Sequence, residues 1–379
     1  MSAHQESLKQ PTTFNFPEIW KSEPPTEETS LKISLWEKAQ ASLPVFNFGR
    51  DTSFITEAAQ WLKYSSEFQQ ALLDAAQLLF SQPRFQALFQ YHSYLMSHPS
   101  AFQIHPASRW PFYEDEPDAS LLYPLIFLAH FPKYVASCKQ RNIPDSVMCD
   151  TLQDLDDRFH IYRSRNEGVR TFHRSAPWFS QHFLGNIFRL GRLQFTISKF
   201  PYDASIFLAL SGDHLVIQWN EKNKTITLEK GDLGSEISTE TSAFDPTPLI
   251  QKGDFSLAIH IPEIGPLDPQ ACLDSLQQAR EFYARHFPEN DWKGFYSTSW
   301  LYDPQLAHYL PESNIVRFQR LFYLFEAPFT NHAQIFERVF GHSKTPDLTM
   351  TPKGSLQKAV LDHLRNGGEW KNRGAFLPF

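Results

Sequence analysis

The stretch DFSLAIHIPEIGPLDPQACLDSLQQAREFYARHFPENDWKGFYSTSWL, residues 254–301, decides the fold. It opens as a strand. Phe255, Leu257, Ile259 and Ile261 fall on one face, and Ser256, Ala258 and His260 on the other. Pro262 has no N–H for a ladder, so pairing is expected to fail near the strand's end. Asp268-Pro269 reads as a helix start. A capping carboxylate accepts from the free N–H groups of the first turn, and proline suits the first helical position. Cys272, Leu276, Ala279 and Tyr283 then recur at i, i+4, i+7 and i+11, with Leu273 and Phe287 beside them. That is one buried stripe of a helix running from Pro269 to about Phe287. The run KGFYSTSWL returns to strand, with Phe295, Ser297, Ser299 and Leu301 on one face and Tyr296, Thr298 and Trp300 on the other. Strand, helix and strand within about 45 residues make a crossover, and a crossover joins parallel strands. Small polar residues and a histidine then gather where the ladder opens, and an open ladder can accept an extended ligand.

Downstream, a second Asp-Pro-Gln begins at Asp303 and reads as another capped helix, PQLAHYL. SNIVRFQRLFYLF reads as a long strand, NHAQIFERVF and SLQKAVLDHL as helices, and EWKNRGAFLPF as a tail. Upstream, after Gly191, RLQFTISKF, SIFLALSGDHLVIQW, TITLE and DFSLAIHI alternate as strands. SGDH is a tight turn and NEKNK a hairpin loop, so antiparallel pairing is expected. Before residue 165 the pattern is helical throughout. TEAAQWLKYS, FQQALLDAAQLLFS and RFQALFQYHSYLMS carry apolar residues three and four apart, and two more helical stretches follow at about 120–139 and 145–162. Between these sets lies an acidic, proline-bearing loop, HPASRWPFYEDEPDAS. The apolar block LLYPLIFLAHF is shorter than the ~20 residues of a membrane span and reads as a buried helix.

The expected architecture is α+β. An all-helical domain covers residues 1–165, with 1–30 a loosely ordered lead-in. Residues 166–379 form a mixed, mostly antiparallel sheet with one βαβ crossover. The basic segment RSRNEGVRTFHR, with Arg163, Arg165, Arg170, His173 and Arg174, marks the boundary, and PWFSQHFLGNIF bridges onward.

Composition narrows the function. The net charge of -7 excludes a broadly basic nucleic-acid footprint. Three cysteines, Cys138, Cys149 and Cys272, give no CxxC pair and no disulfide framework, so a reducing, cytoplasmic location is expected. The N-terminus has no apolar signal core, and no membrane association is expected. The 34 phenylalanines imply aromatic-rich cores. HExxH, GxSxG and P-loop motifs are missing from the sequence, so no metal site is expected.

HIPEIGPLDPQACLDSLQQAREFYARHFPE, STSWLYDPQLAHYLPESNIVRFQRLF, RLGRLQFTI and SLQKAVLDHLRNGGEW together resemble a bacterial group of GNAT-like acyltransferases, which pair a helical N-terminal domain with a GNAT-like C-terminal domain. The resemblance covers residues 170–379 well and the first half more loosely. It implies direct acyl transfer from acetyl-coenzyme A, or a longer acyl form, to an amine on a small molecule or peptide. It also implies that the pantetheine arm lies in the splay between His260–Ile264 and Tyr296–Trp300, with the pyrophosphate at Ile264–Asp268. Ile261, Ile264, Gly265, Leu267 and Ser297 become candidate coenzyme A contacts. His260 is the candidate base, because an imidazole titrates near neutral pH, and Glu263 is the alternate. Ser297 and Ser299 are candidates to orient water or substrate. Tyr309, with Tyr302 just before it, is the candidate acid for the leaving thiolate. The loop departs from the family pattern. Gln/Arg-x-x-Gly-x-Gly/Ala is replaced by IGPLDP, with one glycine, two prolines that donate nothing and an aspartate. The alternative is a non-catalytic binding protein on a degenerate GNAT-like scaffold.

Overall fold

The computed structural model describes residues 26–42, 52–98, 117–164, 172–212, 214–220, 224–234, 244–327 and 333–379. Contacts divide the chain into two units, Met1–Phe188 and Arg189–Phe379. Most of the lead-in, Arg165 and Arg170 of the basic segment, Asp213 of the SGDH turn and the centre of the NEKNK loop lie outside the described residues.

The first unit is helical. Its helices are α1 (Glu27–Ser42), α2 (Ser53–Leu62), α3 (Ser66–Phe80), α4 (Pro83–Ser97), α5 (Leu122–Ala129), α6 (Phe131–Gln140), α7 (Asp145–Leu152), α8 (Asp154–Ser164) and α9 (Phe172–Phe183). The apolar run Ala119–Gln140 is long and apolar enough, by composition, to cross a membrane. Burial accounts for it. Leu122, Leu125, Ile126, Phe127 and Leu128 are wholly inaccessible, and α5 packs on α2, α3, α4 and α9. A helix apolar on every side is what such a central position requires. α9 was expected as a bridge, and it belongs to this unit.

The second unit, with Ile187 and Phe188 just before its start, holds two sheets. Its strands are β1 (Ile187–Leu190), β2 (Leu193–Lys199), β3 (Ala204–Leu208), β4 (Leu215–Trp219), β5 (Lys224–Leu228), β6 (Ile250–Gln251), β7 (Phe255–His260), β8 (Gly294–Ser299), β9 (Tyr323–Glu326) and β10 (Arg373–Pro378). Six form one sheet in the order β1-β2-β7-β8-β10-β9, and four form another in the order β5-β4-β3-β6. β7 and β8 are parallel, and the other registered pairs are antiparallel. The crossover helix α10 (Pro269–His286) joins β7 to β8. It buries Cys272, Leu276, Ala279 and Tyr283 as the spacing requires, and the Tyr283 hydroxyl donates to the Phe195 carbonyl of β2 at 2.8 Å. Leu273 is exposed, off that stripe.

Several expected elements differ. The strands after Gly191 do not all join β7 in the one sheet expected. β2 leaves to pair with β7, and β3 to β6 make the second sheet. Its core, Tyr202, Ile206, Ile217 and Leu228, closes on Phe325 and Phe376 of β9 and β10. Ile187 and Phe188, at the end of the PWFSQHFLGNIF segment expected to bridge onward, start β1. SNIVRFQRLFYLF is a helix and then a strand. Ser313 caps α12 (Asn314–Gln319), accepting from the Val316 N–H at 3.3 Å, and only Tyr323–Glu326 is extended. The expected tail contains β10, inserted between β8 and β9. Gly374 permits this, because a Cβ there would lie 2.2 Å from the Phe325 ring.

The two Asp-Pro-Gln copies also part ways. Asp268 is the expected N-cap, accepting from the Ala271 N–H at 2.9 Å. Asp303 is not a cap of the next helix. It follows a 3-10 turn, Trp300–Tyr302, and is fully buried. Its carboxylate accepts from the Lys371 N–H at 2.8 Å and from Gln305, which ties the approach to β10 to this turn. The following helix, α11, spans only Leu306–Tyr309.

Candidate active site

The β7–β8 ladder is short. Its register holds Leu257 to Phe295 and Ala258 to Tyr296 and then stops. On their outer edges both strands stay paired further. β7 reaches His260 opposite Gln194, and β8 reaches Ser299 opposite Arg373. The sheet therefore splays between Ile259–His260 and Ser297–Ser299. The Ser297 hydroxyl spans the start of the gap and donates to the Ile259 carbonyl at 3.1 Å.

Strand alternation assigns the faces of this gap. Ala258 and Tyr296 are registered neighbours, so His260 shares their face with Thr298, while Ile259, Ser297 and Ser299 lie on the other. His260 and the two serines, expected in one cluster, thus sit on opposite faces of the sheet. The His260 face also carries Tyr296, whose hydroxyl bonds that of Ser198 at 2.7 Å, and Thr298, bonded to the Tyr202 hydroxyl. On the serine face, the turn after Ser299 brings Tyr302 inward. Tyr302 is fully buried, and among the described residues its hydroxyl makes no well-formed hydrogen bond, with only the Ser297 hydroxyl beside it. Burial pushes the phenol well above its ordinary pKa, with the Ser297 hydroxyl opposing and Cys272 adding to the rise. The Cys272 thiol, in the first turn of α10, is pushed up to about 11 by burial, partly offset by Arg192. Neither group ionises near neutral pH, so Tyr302 keeps a proton to give, and Cys272 is no nucleophile there.

The loop from Pro262 to Asp268 leads from the splay into α10. Its Ile264 and Leu267 are half-buried and Gly265 is exposed. Arg192 reaches across it. Nη1 donates to the Pro262 carbonyl at 3.1 Å, Nη2 to Gly265 at 3.2 Å and Nε to Pro266 at 2.8 Å. Among the described residues, no acceptor faces the N–H groups of Ile264, Gly265, Leu267 or Gln270. A helix N-terminus with unclaimed N–H groups favours an anion.

The other expected site residues have structural partners. Ser299 caps the 3-10 turn, accepting from the Leu301 N–H at 3.2 Å. Glu263 pairs with Arg338 of α13 (Ala333–Phe340) at 3.3 Å. The Tyr309 hydroxyl lies 3.2 Å from His363 Nδ1, and His363 Nε2 lies 3.2 Å from the Glu369 carbonyl. A carbonyl only accepts, so in the neutral ring Nε2 donates to it, Nδ1 accepts and Tyr309 donates. Tyr309 thereby packs in a cluster with Trp300, Trp370 and Val360. Sequence reasoning left out Arg192. Its signal was Leu-Gly-Arg-Leu between two strands, a two-residue hairpin turn that aims one side chain.

A mixed sheet with one splayed parallel pair, followed by a capped helix N-terminus, defines a GNAT-like acyltransferase domain. Residues 187–377 match the GNAT-like C-terminal domain family, and residues 53–185 match the N-acyltransferase N-terminal domain. The chain belongs to this family of GNAT-like acyltransferases with a helical N-terminal region. No curated protein sequence matches it. Among solved structures, an acyltransferase variant crystallised with octanoyl-CoA is similar at 24% identity and a TM-score of 0.64, over 93% of this chain and 100% of its own. An acyltransferase crystallised with decanoyl-CoA and teicoplanin gives 24% and 0.64, over 93% of this chain and 99% of its own. At that identity the likeness concerns the fold.

Proposed function

We propose that the protein transfers an acyl group from an acyl-coenzyme A directly to an amine. One observation carries the reading: the β7–β8 ladder opens just beyond Ala258 and Tyr296, immediately before a helix N-terminus with unclaimed N–H groups. The gap suits a pantetheine arm, which pairs with open strand edges, and the N–H groups suit a diphosphate. The structural neighbours crystallised with octanoyl-CoA, decanoyl-CoA and teicoplanin support a medium-length acyl group and a small-molecule amine acceptor.

In the reaction, the amine nitrogen attacks the thioester carbonyl, the carbon–sulfur bond breaks, and the thiolate leaves. The amine loses one proton and the sulfur gains one. His260, on one face of the gap, takes the amine proton. Tyr302, on the other, protonates the thiolate, a role that Tyr309 does not share because its hydroxyl is given to His363. The Ile259 carbonyl faces the gap, and strand alternation directs the Ile261 N–H the same way, as a donor to the carbonyl oxygen. A reducing, cytoplasmic location belongs to this reading, and Cys138, Cys149 and Cys272 as free thiols support it.

Thermal unfolding with added octanoyl-CoA or acetyl-CoA tests the function. A ligand at about a hundred times its Kd stabilises a protein by ~2.7 kcal/mol, so Tm should rise with concentration. No rise with any coenzyme A thioester would sink the reading.

A further inference from the structure

We propose that Arg192 is a positioning residue that does the work of the missing glycine-rich phosphate loop. It holds the loop 262–266 by its carbonyls, so that the N–H groups at the start of α10 stay turned toward the diphosphate of coenzyme A. The proposal rests on the acyl-coenzyme A reading above.

A glycine-rich loop converges its N–H groups because glycine lets the backbone turn freely. The sequence IGPLDP lacks that freedom, and the loop is fixed from outside instead. A planar guanidinium presents its donors in a rigid fork, and here every branch of the fork is used on a loop carbonyl. In a trans peptide the carbonyl and the next N–H point in opposite directions, and no cis peptide bond occurs among the described residues. Holding the Pro266 carbonyl therefore turns the Leu267 N–H away from Arg192. Losing an N–H at Pro266 and Pro269 costs the site little, since Ile264, Gly265, Leu267 and Gln270 still offer theirs. The arginine also sets a positive charge beside the anion's place, which offsets the Asp268 carboxylate.

Arg192 is itself aimed. Gly191 has φ +68, and Arg192 follows with negative φ, the pattern of a two-residue hairpin turn with glycine first. Ser275 of α10 pins that turn from below. Its buried hydroxyl donates to the Leu190 carbonyl and accepts from the Leu193 N–H at 3.0 Å. The helix that offers the N–H groups thus also fixes the residue that presents them. An independent feature points to a ligand at this end of the gap. The Tyr302 hydroxyl, fully buried near Cys272 in the first turn of α10, has only the Ser297 hydroxyl beside it and makes no well-formed hydrogen bond among the described residues.

The test is calorimetric titration of the full chain with two probes, octanoyl-CoA and S-octanoyl-pantetheine. Both carry the same thioester and arm, and only the first carries the diphosphate. Arg192→Ala should weaken octanoyl-CoA about tenfold or more and leave S-octanoyl-pantetheine unchanged. Arg192→Lys keeps the charge but not the planar fork, and should show the same selective loss to a smaller degree. If Arg192→Ala does not fold, Arg192→Lys decides. Equal weakening of both probes, or of neither, overturns the proposal. Failure of the wild type to bind octanoyl-CoA would overturn the functional reading, and the proposal with it.

Discussion

Tyr302 and Tyr309 present the same side chain to opposite uses. Tyr309 spends its hydroxyl on His363 within an aromatic cluster, whereas the Tyr302 hydroxyl is buried with only the Ser297 hydroxyl beside it and no well-formed hydrogen bond. A buried hydroxyl without a hydrogen bond costs about 1–3 kcal/mol, and a made hydrogen bond contributes about 1 kcal/mol. Tyr309→Phe should therefore destabilise by about 1 kcal/mol in urea unfolding, and Tyr302→Phe should be neutral or stabilising. Their effects on catalysis should be reversed. Tyr302→Phe should slow release of free thiol from octanoyl-CoA, with an amine acceptor, by about a hundredfold, and Tyr309→Phe should barely change it. Full turnover in Tyr302→Phe, with loss in Tyr309→Phe, would return the role to Tyr309. The sequence shows both tyrosines near the splay. It does not show which one turns inward, because that depends on a three-residue 3-10 turn with no periodicity to read. The opposite facing of His260 and Ser297 was hidden for a related reason. Alternation gives the faces of each strand, but only the Ala258–Tyr296 register relates one strand to the other.

Among the elements, local chemistry was legible and long-range substitution was not. The start of α10 reads directly from Asp268-Pro269, and its buried stripe reads from the spacing of Cys272, Leu276, Ala279 and Tyr283. The same tripeptide at Asp303 misleads, because its carboxylate is taken by the Lys371 N–H from a distant segment. Nothing near Asp303 in sequence announces that partner. The two aspartates should therefore differ in stability. Asp268→Ala removes an exposed cap and should cost about 1 kcal/mol. Asp303→Ala takes the acceptor from the half-buried Lys371 and Gln305 backbone N–H groups, at about 1–3 kcal/mol for each one that water does not reach, while the Gln305 side chain keeps the Glu369 carbonyl. Chemical denaturation of both variants checks the order, and an Asp303→Ala variant no weaker than Asp268→Ala would contradict it. β10 shows the same limit from the other side. Arg373-Gly374-Ala375-Phe376 has few strand signals of its own, and it is a strand because β8 and β9 leave it a slot that only glycine fits under Phe325.

At the scale of the whole chain, the two units differ in what they bury. The α+β class, the helical first half and the crossover were all readable, because each depends on period and order within one stretch. The second sheet was not, since it depends on β2 choosing β7 over its neighbour β3. The helical unit also hides histidines that no pattern marks as buried: His92 in α4, His130 between α5 and α6, and His182 in α9. Burial lowers His92 to about 3 and His130 to about 4, and lowers His182 against the opposing pull of Asp154. All are neutral in the fold at neutral pH, while an unfolded histidine takes a proton near pH 6.5. Below about pH 6.5 the unfolded chain thus binds more protons than the folded one, until the pH reaches the lowered values. Stability from these groups is complete above about pH 6.5 and falls as the pH falls, by up to about 1.4 kcal/mol per pH unit for each histidine. Urea unfolding between about pH 7.5 and pH 4.5 should show this loss. His130→Gln should reduce the slope by up to one histidine's share, since glutamine cannot titrate while Lys133 and the carboxylates remain as they were. An identical slope in the wild type and His130→Gln would mean that His130 is already charged in the fold, and that burial at the junction of α5 and α6 does not hold it neutral.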